Sequence, residues 1–303
     1  MNSSSENIKK ILTENQIIYT ENEPMKDHTT FKIGGNAKLF ITVSDIDELK
    51  LVIKACKENV VSYLVLGKGS NLLVSDEGID GAVINFDGEF KNIEVEENEI
   101  FCGCSVALSK LCTVALENSL SKLEFAYGIP GTVGGAVFMN AGAYGGEMKD
   151  VIKSVTYLSA DGNILNLNAD KLDLSYRHSI FKENGGIILF ATFKLEKSNK
   201  TDIKSKMDDF INRRKTKQPL EYPSAGSVFK RPQGNFAGTL IEQCGLKGFS
   251  IGGAQVSEKH AGFIINKNNA TASDVLKLIE YIQTTVKKKT GYTLEREIIY
   301  IDK

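Results

Sequence analysis

Between Gly128 and Gly146 the chain carries seven glycines in nineteen residues, with Ala136, Ala141 and Ala143 set among them. Glycine loses more conformational freedom on folding than any other residue, so ordering such a stretch is costly. A mobile linker would avoid that cost, but linkers do not usually carry Ile129, Val133, Val137, Phe138 and Met139. Apolar side chains mixed with glycine point to backbone packed closely against something large and flat. That is either a cofactor or a tightly packed structural loop. A second cluster, Gly67-Lys68-Gly69-Ser70-Asn71, follows the apolar run Tyr63-Leu64-Val65-Leu66, where a tight turn can aim successive amides at an anion. Leu72 stands where the third glycine of GxGxxG belongs and GxxxxGK[ST] is absent, so neither nucleotide fingerprint is present. Taken alone, this second cluster reads better as a hairpin turn.

Composition bounds the rest. A length of 303 residues suits two or three domains. With 42% hydrophobic and 25% charged residues, the chain can build its own core without disulfides or metal. A net charge of -1 offers no global positive field to nucleic acid or to an anionic membrane. The dense basic run Lys287-Lys288-Lys289 closes a predicted helix, where cations interact well with the C-terminal dipole. Cys56, Cys102, Cys104, Cys112 and Cys244 form no CxxC, and His28, His178 and His260 lie far from them in sequence. The pattern predicts no metal site and buried, reduced thiols, hence a cytoplasmic protein. The polar opening Met1-Asn2-Ser3-Ser4-Ser5-Glu6 predicts neither a signal peptide nor a membrane span.

Periodicity outlines the elements. Ser3-x-x-Glu6 reads as a capping box for a helix with Ile8, Ile11 and Leu12 on one face. A second helix from Ser44 turns Ile46, Leu49, Val52, Ile53 and Cys56 inward, and strands are expected at 63–66, 82–86 and 93–97. A third helix starts at Ser105, and segments 151–159 and 163–167 alternate around Asp161-Gly162 as a hairpin. A strand at 187–195 precedes a charged helix, 201–217, which runs into Pro219 and Pro223 as at a domain junction. The last region holds a short helix at 238–243, a strand at 262–266, an amphipathic helix at 273–289 and a strand at 293–301. The expected fold is α+β in three lobes, 1–81, 82–200 and 201–303.

GKGSN at 67–71 and GIPGTVGGAVFMNAGAYG at 128–145 resemble the FAD-binding halves of the vanillyl-alcohol-oxidase-type flavoproteins. With His28-Thr29-Thr30-Phe31, Gly34-Gly35 and the later motifs in the same order, nearly the whole chain resembles the UDP-N-acetylenolpyruvoylglucosamine reductases of bacterial cell-wall synthesis. The resemblance implies that the first two lobes form the FAD-binding unit and that the third, an α/β lobe, binds substrate. It implies that Gly67, Lys68, Gly69, Ser70, Asn71, Gly131, Thr132, Gly134 and Gly135 touch the pyrophosphate of a noncovalent FAD. Asn140, Gly142, Ala143 and Gly145 would line the rest of the cofactor, and His28 receives no role.

Reducing an enolpyruvyl ether demands a hydride at the terminal vinyl carbon, support for the enolate-like dianion that follows, and one proton at the central carbon. Read by itself, Arg177 in Ser175-Tyr176-Arg177-His178-Ser179 is a loop cation, although its planar fork suits a carboxylate or enolate. The family's Tyr-Arg-x-Ser segment implies that Arg177 supplies that cation. Ser227, in Pro223-Ser224-Ala225-Gly226-Ser227-Val228-Phe229, is an ordinary turn hydroxyl on sequence alone, since Phe229 breaks the GxSxG elbow. The family signature Ser-x-Gly-Ser-x-Phe implies that it is the proton donor. On a strand, Glu295 and Glu297 of Leu294-Glu295-Arg296-Glu297 would share a face and repel, which is compatible with one of them held protonated. By resemblance the catalytic acid is Glu297.

Tyr176 is the candidate near the nicotinamide and sugar, and Lys230, Arg231 and Lys247 are the candidates for the UDP diphosphate, though such a cation is more often a solvated one. The chain is short between Tyr176 and Ser227, like the shorter class of the family, so no substrate-clamping tyrosine is transferred from the longer class. The expected protein is an NADPH-dependent, monomeric flavoprotein reductase. A flavin-dependent alcohol or sugar oxidase on the same scaffold and a catalytically silent flavin-binding module are the alternatives. Anaerobic bleaching by NADPH and recolouring by the enol ether separate the three. Because no covalent attachment site is evident, the purified protein is expected to be yellow and to release its flavin into the supernatant on acid precipitation. Colour that stays in the pellet contradicts this.

Overall fold

The computed structural model describes residues 2–302, and the Ser3 side chain expected to cap the first helix lies outside the described residues. The chain divides into two compact units, neither of them a continuous stretch. Met1–Tyr19, Ile41–Gly67 and Ile84–Arg214 make the first, and Thr20–Phe40, Lys68–Val83 and Lys215–Lys303 make the second. Three strands, Ile18–Pro24, Asn36–Val43 and Ile79–Phe86, carry the chain from one unit into the other.

The first unit is built on a five-stranded antiparallel sheet. Its order is Ile164–Asn168, Ile152–Leu158, Ile187–Lys194, Glu99–Gly103, Ile93–Glu96. The middle strand is buried on both faces for most of its length, as its Ile-Ile-Leu-Phe start requires, whereas the edge strand Ile164–Asn168 is largely exposed. The expected hairpin pairs Leu158 with Ile164, and Gly162 takes φ +86° in its turn. Helix Asn2–Glu14 buries Ile8 and Leu12 and packs against helix Ile46–Glu58.

That second helix starts beyond Ser44 because Asp45 is its cap. The Asp45 carboxylate accepts from the Glu48 amide at 2.8 Å, and Glu48 reaches back to the Ser44 amide at 2.7 Å. Ser105 likewise does not cap the third helix, Leu108–Glu117, since its hydroxyl donates instead to the Phe86 carbonyl at 2.9 Å.

The second unit is organised by helix Ala272–Thr290, whose stripe of Val275, Leu278, Ile279, Ile282 and Val286 is fully covered. Segments distant in sequence supply the cover: Phe31, Ile33 and Leu73 join Val228, Phe229, Leu240 and Ile241 in one core. Strand Ile299–Ile301 runs parallel to Leu72–Val74, and Ser250–Ile251, Ala254–Val256 and Ile264–Asn266 form a small antiparallel sheet. Of the strand expected over 293–301, only this last part is regular. Gly35 explains the glycine pair of the early motif, because a Cβ there would lie 2.3 Å from the Asp76 carbonyl. Among the described residues, no helix is long and apolar enough to cross a membrane.

The long helix is held at both ends. Thr271 and Asp274 form a reciprocal capping box, Asp76 accepts from the amides of Ala272 at 2.7 Å and Ser273 at 3.0 Å, and Gly291 closes the C-terminus at φ +79°. The Asp274 carboxyl sits below the usual carboxylate range, chiefly through the Thr271 backbone N–H, with the Gly253 amide adding to it against the opposing effect of burial. A depressed folded pKa contributes stability above the unfolded value and loses it as pH falls through the folded one. Asp274→Asn is therefore expected to lose about 1 kcal/mol at neutral pH. Urea unfolding at stepped pH should show the gap to the parent closing as the carboxyl protonates.

Candidate functional site

In the first unit the glycine-rich segment contains a short helix, Val133–Phe138, that periodicity does not reveal. Its backbone is laced to the segment before the third helix. Leu108 N–H donates to Gly131 at 3.0 Å, Val133 N–H to Val106 at 2.9 Å and Gly134 N–H to Cys104 at 2.8 Å. A Cβ on Gly134 would lie 2.9 Å from that of Cys104, so only glycine permits this approach. Gly135 is exposed, and a Cβ on it would meet only Thr132 Oγ1, at 3.6 Å. Gly67 approaches the same place, since a Cβ on it would lie 2.7 Å from Thr132 Oγ1. Gly67 thus lies against Thr132, whose side chain also caps the short helix.

Asn140 ends this stretch in a left-handed conformation, φ +42°, and is fully buried. Its amide nitrogen donates to Glu147 at 2.7 Å and to the Ser175 carbonyl at 2.9 Å, while its oxygen accepts from the Lys149 amide at 3.0 Å. The Asn140 side chain is therefore engaged within the protein. The bond to Ser175 ties the glycine segment to the arginine turn, and Ser179 adds a second tie by donating to Phe138 O at 2.7 Å.

Arg177 lies in a tight turn closed by paired bonds between Ser175 and His178, at 3.1 and 3.3 Å. It holds φ +56°, a conformation that costs a non-glycine residue roughly 1–2 kcal/mol. Its guanidinium lies 5.0 Å from the Tyr176 ring centre, Tyr176 itself being half exposed. Gly142 and Ala143 form a small pairing with Glu147 and Gly146, and Gly145 has open space around it at φ +89°.

Sequence reasoning passed over Arg214, on helix Lys200–Lys217. A Cβ on Gly128 would lie 3.1 Å from Arg214 Cδ, and one turn back Phe210 stacks on Tyr144 with ring centres 4.7 Å apart. Burial pushes the Arg214 pKa down, and among the described residues no carboxylate pairs with it. A half-buried cation without an anion, beside a glycine segment, is the available signal. The sequence showed it only as one of two adjacent arginines in a charged helix.

In the second unit the Ser227 segment lies between two partners. Val228 N–H donates to Gly262 at 2.9 Å on one side, and Val228 O accepts from the Glu297 N–H at 2.7 Å on the other. Asn71 brackets Glu297: its side-chain amide donates to Glu297 O at 3.2 Å, and its own carbonyl accepts from Ile299 at 2.9 Å. Gly69, φ +62°, packs so tightly on His28 that a Cβ would lie 2.2 Å from the His28 carbonyl. His28 is fixed by Glu23 at 2.7 Å and by stacking on Phe40. Glu295 is exposed and paired with Lys230 at 3.2 Å, whereas Glu297 is half-buried. Lys247 pairs with Glu242 at 2.6 Å, and Arg231 lies 4.6 Å from the Phe236 ring centre. All five cysteines are buried free thiols, and burial raises Cys56 to about 11 and Cys102 to about 12.

The residues present fit a dinucleotide cofactor in two respects: glycines close enough together to bring backbone against a diphosphate, and an unneutralised guanidinium at their edge. Residues 37–168 match the FAD binding domain family, which makes this chain an FAD flavoprotein. Residues 218–301 match the C-terminal domain of UDP-N-acetylenolpyruvoylglucosamine reductase. The enzyme of that name from Clostridium novyi (strain NT) is 51% identical over 274 residues, 90% of this chain and 89% of the relative. Its counterpart from Caldanaerobacter subterraneus subsp. tengcongensis is 51% identical over 291 residues, 96% of this chain and 95% of the relative. The crystal structure of UDP-N-acetylenolpyruvylglucosamine reductase from Thermus caldophilus superposes with a TM-score of 0.80 at 37% identity, covering 94% of this chain and 98% of that one. The chain belongs to the UDP-N-acetylenolpyruvoylglucosamine reductase family.

The two neighbouring glycines 134 and 135 offer a direct test of the cofactor placement. Gly135→Val is expected to keep the circular dichroism of the parent and the thermal midpoint of the flavin-free parent while losing flavin, because its side chain meets little protein. Gly134→Val should lose both, because it strikes Cys104. Full flavin content in the Gly135 variant refutes the placement.

Proposed function

We propose that this chain uses NADPH to reduce the enolpyruvyl ether of UDP-N-acetylglucosamine to UDP-N-acetylmuramate, with Arg177, Ser227 and Glu297 acting on the substrate. The observation that supports the residue assignment is the 2.7 Å bond from the Glu297 amide to Val228 O, which joins the segment carrying Glu297 to the segment carrying Ser227. A bound FAD, held by the glycine segments, would supply the hydride chemistry between NADPH and the terminal vinyl carbon. The π electrons of the double bond then move toward the substrate carboxylate, and Arg177 offers its fork of N–H donors to that growing charge. Its turn is held in a costly conformation by the bonds described above, as expected for a side chain whose direction matters. Glu297 supports the same enolate through a hydrogen bond. Ser227 Oγ then gives its proton to the carbon that bears the ether oxygen and is reprotonated from solvent.

In the cofactor, Gly67 to Asn71 and Gly131 to Gly135 are assigned to the diphosphate, with Arg214 added as its cation. Asn140, Gly142, Ala143 and Gly145 shape the remainder. Asn140 would do so through backbone and position rather than through its engaged side chain. Tyr176 is assigned to the nicotinamide and sugar, and Lys230, Arg231 and Lys247 to the UDP diphosphate. Lys230 and Lys247 would exchange exposed ion pairs, worth about 0–1 kcal/mol each, for contacts with a dianion. As functional divisions, 1–81 and 82–200 serve the cofactor and 201–303 the substrate. A monomer in the cytoplasm is the proposed working form, and five free thiols fit a reducing compartment.

Ser227→Ala is expected to separate the half-reactions. Bleaching of the flavin by NADPH needs no proton at the substrate carbon and should run at near-parental rate. Reoxidation by the enol ether should slow by ~10²–10⁴-fold, the usual loss on removing a positioned general acid. Stopped-flow absorbance follows the two steps separately. Reoxidation within a few-fold of the parent would assign the proton to water or to another residue.

A further inference from the structure

Ser227 sits on a turn whose freedom is set by one glycine. Gly226 has φ +76° with no atom within 4 Å of its would-be Cβ, a left-handed turn that glycine adopts without strain. Beyond the glycine, Val228 is fixed on both sides by Gly262 and Glu297. Before it, Ala225 is buried in the core, and the backbone of Ser224 is held by a single residue. The Thr30 hydroxyl donates to Ser224 O at 2.7 Å, and the Ser224 amide donates to Thr30 O at 3.2 Å. Both backbone groups of Ser224 are thereby taken by Thr30, 194 positions away in sequence. The Thr30 amide meanwhile donates to Gly69 O at 3.3 Å, in the glycine cluster at 67–71. One threonine is bonded to the turn of the proposed proton donor and to a proposed cofactor loop.

We propose that Thr30 is a positioning residue for proton delivery. Its hydroxyl fixes the near side of the Gly226 hinge, and through that hinge it fixes the place of Ser227 Oγ. The proposal rests on the assignment of Ser227 as proton donor. The geometry separates this role from general support of the fold. Thr30 lies at the surface of the core rather than inside it, being half-buried, while Thr29 and Phe31 on either side are buried. Removing only the hydroxyl takes away one bond to the hinge and leaves both backbone bonds in place.

Thr30→Val, which keeps the shape and removes the hydroxyl, and Thr30→Ser, which keeps the hydroxyl, are the paired tests. In the valine variant the flavin should be retained and NADPH bleaching should stay within two-fold of the parent, by the reasoning that a misplaced donor affects only its own step. Reoxidation by the enolpyruvyl ether should fall about 10–100-fold, the scale set by a misplacement of roughly 1 Å. The serine variant should recover most of it. In the flavin-free protein, hydrogen exchange of the 224–227 amides should be faster for valine than for serine, a readout independent of turnover. Combining Thr30→Val with Ser227→Ala should slow reoxidation no further than Ser227→Ala alone, because the two act through one group. An additive double variant, unchanged exchange at 224–227, or equal slowing of both half-reactions each overturns the proposal. Normal reoxidation in Ser227→Ala alone would instead remove the Ser227 assignment, which distinguishes that failure from this one.

Discussion

Backbone brought into contact with backbone at 131–134 and 104–108 is the constraint on which the first unit is arranged. Nineteen residues with seven glycines have few side chains with which to hold themselves in place. Order comes instead from a ladder of main-chain bonds, from Thr132 at the head of the short helix, and from Asn140 at its foot. Asn140 is the most consequential of these. Its three bonds are made where no water competes, and together they fix the end of the glycine segment to Glu147 and to the arginine turn. The glycine segment and the arginine turn are consequently tied together by Asn140 and Ser179.

The second unit solves a related problem by different means. Ser227 and Glu297 stand on short irregular segments outside any long strand, and their placing depends on side chains reaching across from residues 20–83. Thr30, Asn71 and Asp76 each bond to main chain from the C-terminal third. His28 does the analogous work locally, held by Glu23 and Phe40 beside Gly69. The early motif His28-Thr29-Thr30-Phe31 therefore serves as a bracket for the segment that carries Ser227.

Much of this was legible in the residues. The hairpin at Asp161-Gly162, the apolar strand at 63–66 and the stripe of the last helix follow directly from period and turn chemistry. The glycine segment announced a close approach correctly, but not the helix inside it, because glycine is a poor helix former and packing against Cys104 overrides that preference. Strand Ile18–Pro24 was missed because its Thr-Glu-Asn-Glu run is polar and mostly exposed. Arg214 and Asn140 were invisible in their particular roles for a different reason. Their meaning lies in which distant atoms surround them, and no local pattern encodes that. Ser227 and Glu297 were named through resemblance, whereas the main-chain bond between Glu297 and Val228 is a tertiary fact.

The interleaving of the two units has a consequence for how the protein is made. Phe31, Ile33 and Leu73 belong to a core whose other members, from Ala225 to Ile298, emerge from the ribosome long afterwards. At about 5–20 residues per second, the early segments wait roughly 10–40 s for their partners. During that interval the apolar faces of 20–40 and 68–83 have no native cover. Every segment of the first unit is out once Arg214 has emerged, while the second still waits for residues 215–303. Nascent chains stalled within that stretch should accordingly be the species that chaperones hold.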